Sequence, residues 1–386
     1  MPTEADVRQV VPVRVAHVIH DLRPGGTERR MLAVLAGLEG SRFQPLLVCI
    51  DGLGALEDDA RALGLEPVVL GRATRVDLRG VPRLAALLRR ERVEIVHGWL
   101  SLANVFARTA GTLARVPVRI AAEGGAVTTR DPRRARRDAV LERTLAPLTD
   151  AYIANSSAVA ASLREKGVPT WKIEVIPNGV EIREALSDEE RVRLRAALGG
   201  SPGVQLIGMV ARLDAGFKDH QTFLAALAAL VAEGRPVHGA IVGDGDALGG
   251  LVSRAEELGL ADRVTFTGYI PNAPRAIAAL DVSVLLTSSE GFSNVLLESM
   301  AAGVPILATA IPANCEAIES EAQGLLVPVG SVEETATALR RLLDDPASAD
   351  QFGQAARRRA AERYSMERQA ASTVQLYERL LAQSRR

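Results

Sequence analysis

Glu290 and Glu298 stand eight residues apart in Ser288-Ser289-Glu290-Gly291-Phe292-Ser293-Asn294-Val295-Leu296-Leu297-Glu298-Ser299-Met300-Ala301-Ala302-Gly303. Two carboxylates can hydrolyse a glycosidic bond when they flank it at about 5–9.5 Å. If most of this interval is helix, these two lie roughly 12 Å apart along the axis, at 1.5 Å per residue. That is too wide for hydrolysis and better suited to a long ligand. One carboxylate would accept sugar hydroxyls and the other ribose hydroxyls, with a diphosphate between them. A helix start near Ser293, Asn294 and Val295 would turn its N–H groups toward that diphosphate.

Other residue groups fit the same ligand. In Arg212-Leu-Asp-Ala-Gly-Phe-Lys218, two cations share one short loop after an apolar run. Arginine offers a planar fork and lysine a point charge, a combination suited to a pyrophosphate. Pro24-Gly25-Gly26-Thr27-Glu28 follows the first apolar run and leads into a helical pattern. Its glycines permit close backbone approach to an anion, although the spacing is not the GxGxxG dinucleotide fingerprint. Val242-Gly243-Asp244-Gly245-Asp246 is another glycine-rich turn. Its Asp-x-Asp reads as structural or backbone-contacting rather than as a metal site, because no further carboxylates cluster nearby in sequence.

These loops need a scaffold that presents them together. Short apolar, β-branched runs alternate with helical patterns: Val13–Ile19, Leu46–Ile50, Pro67–Leu70, Glu94–His97, Val118–Ala122, Ala151–Asn155 and Ile173–Ile176. The alternation pauses at Pro177-Asn178-Gly179, a helix-prone segment from Ser187 to Leu198 and the turn-rich Gly199-Gly200-Ser201-Pro202-Gly203. It restarts with Leu206–Val210, Val237–Val242, Val264–Thr267, Val282–Leu286, Pro305–Ala308 and Gly324–Val327. Continuous apolar strands alternating with helices predict parallel sheets covered on both faces. Two such domains facing each other would form a cleft lined by the carboxyl ends of their strands, where ligands bind.

Composition is consistent with two globular domains. The chain has 386 residues, 47% apolar and 24% charged, with a formal net charge of −1. The first 180 residues carry 26 Lys+Arg against 20 Asp+Glu, a net of +6, and the remainder has a net of −7. Aromatic residues make up only 3%, too few for base-stacking nucleic-acid platforms. There is no apolar run of about 18 residues, and Glu4, Asp6 and Arg8 interrupt the N-terminus where a signal core would lie. Two distant cysteines, Cys49 and Cys315, fit a reducing compartment, so a cytoplasmic location is expected. The run from Arg130 to Arg143 begins as a loop and becomes a helix with cationic and apolar faces. It could rest on anionic lipid, or it could be a solvated face diluted by Asp131, Asp138 and Glu142.

The Glu290–Glu298 stretch resembles the E-x7-E motif of retaining glycosyltransferases of family 4, whose fold is GT-B, two facing Rossmann-like domains. Pro24–Arg29 is similar to the first glycine loop of that family, and Ile176-Pro177-Asn178-Gly179-Val180 to its inter-domain segment. Arg212 through Lys218 is similar to its phosphate-binding pair, Val242-Gly243-Asp244-Gly245 to its next turn, and Gly324–Pro328 to its last strand. The resemblance implies that Arg212 and Lys218 neutralise the diphosphate of a nucleotide-sugar donor. It implies that Glu298 holds the ribose, that Glu290 with the amides of Gly291, Phe292, Ser293, Asn294 and Val295 holds the sugar, and that Gly25, Gly26 and Gly243 line the donor. Many relatives carry a His-Gly where this chain reads Ala122-Glu123-Gly124, which makes Glu123 a catalytic candidate. His97 and Asn178 are acceptor or cleft candidates.

The resemblance further implies a metal-independent hexosyltransferase without a cofactor, acting with retention on a hydroxyl of a glycan, lipid-linked or small-molecule acceptor. Two alternatives are a non-hydrolysing nucleotide-sugar 2-epimerase and a non-catalytic partner subunit of the same fold. The resemblance implies an acceptor-binding domain, 1–179, with a final helix 364–386 packing back on it, and a donor-binding domain, 180–363.

Overall fold

The computed structural model describes residues 11–71, 79–125, 131–214 and 216–385. The N-terminal residues Glu4, Asp6 and Arg8, and Arg130 at the start of the basic run, lie outside the described residues. Two compact units emerge. The first holds the described residues up to Gly125, residues 131–179 and the chain from Met366 onward, and the second holds Val180–Ser365.

The first unit is a seven-stranded parallel sheet: β1 (Val13–Ile19), β2 (Phe43–Cys49), β3 (Val68–Val69), β4 (Ile95–Trp99), β5 (Val118–Glu123), β6 (Ala151–Ala154) and β7 (Ile173–Val175), in the order β3-β2-β1-β4-β5-β6-β7. The second is a six-stranded parallel sheet: β8 (Gln205–Val210), β9 (Val237–Val242), β10 (Val264–Gly268), β11 (Val282–Leu285), β12 (Ile306–Thr309) and β13 (Leu325–Val327), in the order β10-β9-β8-β11-β12-β13. Both are Rossmann-like, and the fold class is the GT-B class expected from the sequence. In each, the chain reverses its direction of travel across the sheet between the first strand and the fourth, which creates a switch point at the β1/β4 and β8/β11 boundaries.

Alternation along the strands accounts for both helical layers. Val13, Val15 and Ile19 join one core cluster, and Ala16 and Val18 join the cluster on the opposite face. In the second unit Ile207 and Met209 face one layer, and Leu206 and Val210 the other. The strands therefore have no polar face, which is why they read as unbroken apolar runs.

The turn-rich Gly199–Gly203 lies within the second unit, as the expected bounds 180–363 have it. The preceding helix Asp188–Ala197 is part of the second unit, where Arg195 grips Asp281 at 2.9 Å and Leu198 is fully buried. The last helix, Met366–Ser384, starts two residues later than expected, and Tyr364 stays with the second unit, its ring edge-on to Phe292 and its carbonyl accepting from Val180 N at 2.7 Å. That last helix packs on the first unit, and its Glu378 pairs with Arg42.

Buried histidines set an acid limit on stability. Burial lowers His17 to about 3 and His220 to about 4, and pushes His97 down as well. The unfolded chain takes up these protons below about 6.5, while the folded chain remains neutral until its depressed values are reached. Stability is therefore complete above that pH and falls as pH drops from about 6.5, by about 1.4 kcal/mol per unit for each such histidine. Urea unfolding at pH 5 should show His17 and His220 each costing about 2 kcal/mol relative to pH 7, with His97 adding a cost of the same sign. A stability that is flat over that range would contradict their burial as neutral rings.

Candidate active site

Three loops meet at the carboxyl ends of β8, β9 and β11. The loop after β8 carries Arg212 and Lys218, and the turn after β9 supports it. Leu213 N donates to Asp244 O at 3.0 Å, Ala211 N to Val242 O at 3.0 Å and Ala247 N to Leu213 O at 2.9 Å. Gly243 has φ 145°, and a Cβ there would lie 1.9 Å from Ala211 O. Only glycine allows these two loops to approach so closely. Asp244 Oδ1 accepts from the Gly245 amide. No group of three or more His, Cys, Asp or Glu converges on a metal-sized site among the described residues.

On its other side the β8 loop docks on the end of β11. Lys218 bridges to Thr287, Ser288 N donates to Phe217 O at 2.9 Å, and Asp219 N donates to Leu286 O at 3.0 Å. Asp219 then caps the helix His220–Ala232 by accepting from Thr222 N. These bonds bring Lys218 against Glu290: Nζ donates to Oε1 in an ion pair whose two side chains are less than one-fifth exposed. Arg212 projects outward with its side chain 85% exposed, and its Nε lies 3.6 Å from Asp214 Oδ2. An exposed guanidinium on the same loop as a half-buried ion pair, at a switch point, can receive an oxyanion at little cost in lost packing.

The Glu290–Glu298 interval is helical only from Asn294. Ser293 is the cap, its Oγ accepting from Leu296 N, and the helix runs Asn294–Ala302. The estimate of 12 Å for a mostly helical interval therefore does not hold. Glu290 precedes the helix in the loop and is tied to Lys218, and Glu298 lies one turn inside. The helix begins at the carboxyl end of β11, so its positive end is at the same end of the sheet as the cations. Phe292 is buried against Tyr364.

In the first unit, Gly25 is the N-cap of the helix Gly26–Ala36, which places the Gly25-Gly26 loop after β1 at the other switch point. Glu123 ends β5. Its Oε1 accepts from Asn104 Nδ2 at 2.8 Å, and burial, with Glu142 nearby, raises its pKa above the usual carboxylate value. His97 is 1% exposed in the middle of β4, stacked on Trp99 at 4.5 Å and bonded through Nδ1 to Tyr377 OH at 2.7 Å. That is a packing position beneath the sheet end. Asn178, 4% exposed, accepts from Arg30 Nη1 at 2.8 Å.

The basic helix spans Pro132–Leu145. Its Glu142 does not dilute an exposed face: it is buried and paired with Arg108 and Tyr152. Arg133, Arg136, Arg137 and Arg143 are exposed, as are Val140 (57%) and Leu141 (45%).

The sequence reading missed Arg30. Its signal was a cation four residues before Val34, on the apolar stripe of the first helix, where a charge has no place without a ligand or partner. The Lys218–Glu290 contact, 72 residues apart, was also missed.

Comparison with known proteins supplies the family. The family model for Glycosyltransferase Family 4 matches residues 24–184, and that for Glycosyl transferases group 1 matches residues 191–359. A D-inositol 3-phosphate glycosyltransferase of Corynebacterium urealyticum is 30% identical over 74% of this chain and 70% of its own length. An Escherichia coli UDP-Gal:alpha-D-GlcNAc-diphosphoundecaprenol alpha-1,3-galactosyltransferase is 26% identical over 86% and 88%. The chain spans less than two thirds of the length of several other curated relatives, between 56% and 66%. The crystal structure of Anabaena HepE with UDP and glucose superposes with a TM-score of 0.83 at 20% identity, covering 95% of this chain and 99% of that one. With both family models matched in order across the two units, and a 30% identical relative aligned over most of its length, the chain belongs to the glycosyltransferase family that those models describe.

Proposed function

We propose that this protein transfers a hexosyl group from a nucleotide sugar to a hydroxyl of an acceptor, with retention and without a metal. The observation that carries the reading is the Lys218–Glu290 pair with the open Arg212 at the β8/β11 switch point. As the glycosidic bond breaks, charge grows on the departing nucleoside diphosphate. Arg212, Lys218 and the start of the helix Asn294–Ala302 stabilise that charge. Glu290 exchanges its lysine for the sugar hydroxyls, and Glu298 takes the ribose. In the first unit, Glu123, whose pKa burial raises above the usual carboxylate value, is the candidate at the position where relatives use histidine. The donor phosphate accepts the proton of the acceptor hydroxyl on the face it leaves, and no side-chain base is required.

The donor class draws support from the E. coli relative, whose name specifies UDP-Gal, and from HepE, solved with UDP and glucose. The same relative's diphosphoundecaprenol-linked acceptor favours a lipid-linked glycan. The exposed Val140 and Leu141 among Arg133, Arg136, Arg137 and Arg143 support a peripheral contact with an anionic membrane that would carry such an acceptor, at its cytoplasmic face. Among the described residues no helix is long and apolar enough to cross a membrane. The family match favours transfer over the epimerase and the inactive subunit.

One assay tests the reading. A panel of UDP- and GDP-sugars is incubated in EDTA with a lipid-linked acceptor in phosphatidylglycerol vesicles, and released nucleoside diphosphate and product anomer are measured. Release from one donor, an α-product from an α-donor, and flotation of the protein with the vesicles are expected. Activity that vanished in EDTA and returned with Mn²⁺ or Mg²⁺ would contradict the metal-independent mechanism.

A further inference from the structure

The helix Gly26–Ala36 turns Arg30 into the first unit, where it is only 7% exposed. Among the described residues no carboxylate pairs with it. Its Nη1 donates to Asn178 Oδ1 at 2.8 Å, its Cζ stands 5.0 Å from the centroid of the Trp99 ring, and its Nε has no hydrogen-bond partner. Burial lowers its pKa to about 10, so it remains charged at neutral pH. A buried cation without a counter-ion is costly, and one that persists calls for an anion.

The surroundings are built for such a guest. Trp99 ends β4, Gly124 follows β5, Asn155 follows β6 and Asn178 lies beyond β7, so Arg30 spans the carboxyl ends of four neighbouring strands. These are the positions where open parallel sheets bind ligands. A Cβ on Gly124 would come 2.9 Å from Arg30 Nη1 and 2.8 Å from Asn155 Nδ2, so the glycine keeps this space clear. Asn155 Nδ2 donates to Gly124 O at 3.3 Å, and its buried Oδ1 has no partner. The Arg30 guanidinium and the Asn155 amide both border Gly124, and each carries a buried polar atom without a partner, an N–H on the arginine and an oxygen on the amide, which together match a ligand with both an oxyanion and hydroxyl donors.

We propose that Arg30 binds a phosphate or carboxylate group on the acceptor, so that the first unit selects an anionic polyol over a neutral one. This rests on reading the first unit as the acceptor half. The donor diphosphate is the competing source of the same chemistry, and the test separates the two.

The chain has two tryptophans, and Trp171→Phe leaves Trp99, directly beneath Arg30, as the sole reporter. Inorganic phosphate is titrated into this variant while Trp99 emission is followed, with Arg30→Lys and Arg30→Met made in the same background. A saturable change is expected, at least tenfold weaker in Arg30→Lys, which lacks the fork, and absent in Arg30→Met. Thermal unfolding distinguishes a structural role. Arg30→Met should melt at or above the parent temperature in phosphate-free buffer and lose the phosphate-dependent rise. A parent that shows no phosphate response, or an Arg30→Lys response equal to the parent's, overturns the proposal. Displacement of the phosphate signal by UDP would assign Arg30 to the donor diphosphate and also overturn it. The titration needs neither donor nor turnover, so its failure leaves the transfer reading standing, and absence of transfer leaves the phosphate result interpretable.

Discussion

Arg212→Ala and Lys218→Ala should each lower turnover about 100-fold or more at saturating donor. Each substitution removes a cation from the charge that develops on the leaving diphosphate, and loss of one such contact is worth about 2.7–4 kcal/mol of transition-state stabilisation. The two should differ in their effect on the resting fold. Arg212 is 85% exposed, with its Nε 3.6 Å from Asp214, so its removal should leave thermal unfolding unchanged. Lys218 neutralises a half-buried carboxylate, so Lys218→Ala should also lower the melting temperature slightly. Steady-state kinetics and melting curves together check both statements. Near-normal kinetics in either variant would put the diphosphate elsewhere.

Glu290 and Glu298 should fail differently. Glu298→Gln keeps its shape and loses its charge. If Glu298 binds ribose, affinity for UDP itself should fall by about tenfold to 150-fold, the worth of a hydrogen bond to a charged group. Glu290→Gln should cut turnover by a similar factor while leaving UDP affinity equal or higher, because the substitution releases Lys218 from its ion pair. Equal loss of UDP binding in both variants would mean that the division of labour, sugar at one carboxylate and ribose at the other, is mistaken.

The strands were legible because burial on both faces leaves a continuous apolar signature. Val13–Ile19 and Val237–Val242 coincide with β1 and β9. The start of β2 was not legible: Gln44 and Pro45 interrupt the pattern, yet Pro45 pairs with Val15 in register. The proline is tolerated because β3 pairs only with Val48 and Cys49, so the other side of β2 is a free edge at that point. The loops that carry the cations and carboxylates could be placed from sequence because each directly follows a strand. Their mutual contacts could not. Lys218 meets Glu290 only because β8 and β11 are neighbours across the switch point, a property of strand order rather than of local sequence. Arg30 stayed hidden for a related reason. A charge on an apolar stripe is visible in the sequence, but the asparagines and glycine that surround it come from the ends of distant strands.

The proposed transfer requires a nucleoside diphosphate to be held where β8 and β11 part. Calorimetric titration of UDP and GDP in EDTA, into the parent protein and into the Arg212→Ala, Lys218→Ala double variant, tests it most directly. One bound nucleotide per chain is expected in the parent, and no measurable binding in a double variant that remains folded. Undiminished nucleotide binding by the folded double variant would contradict it.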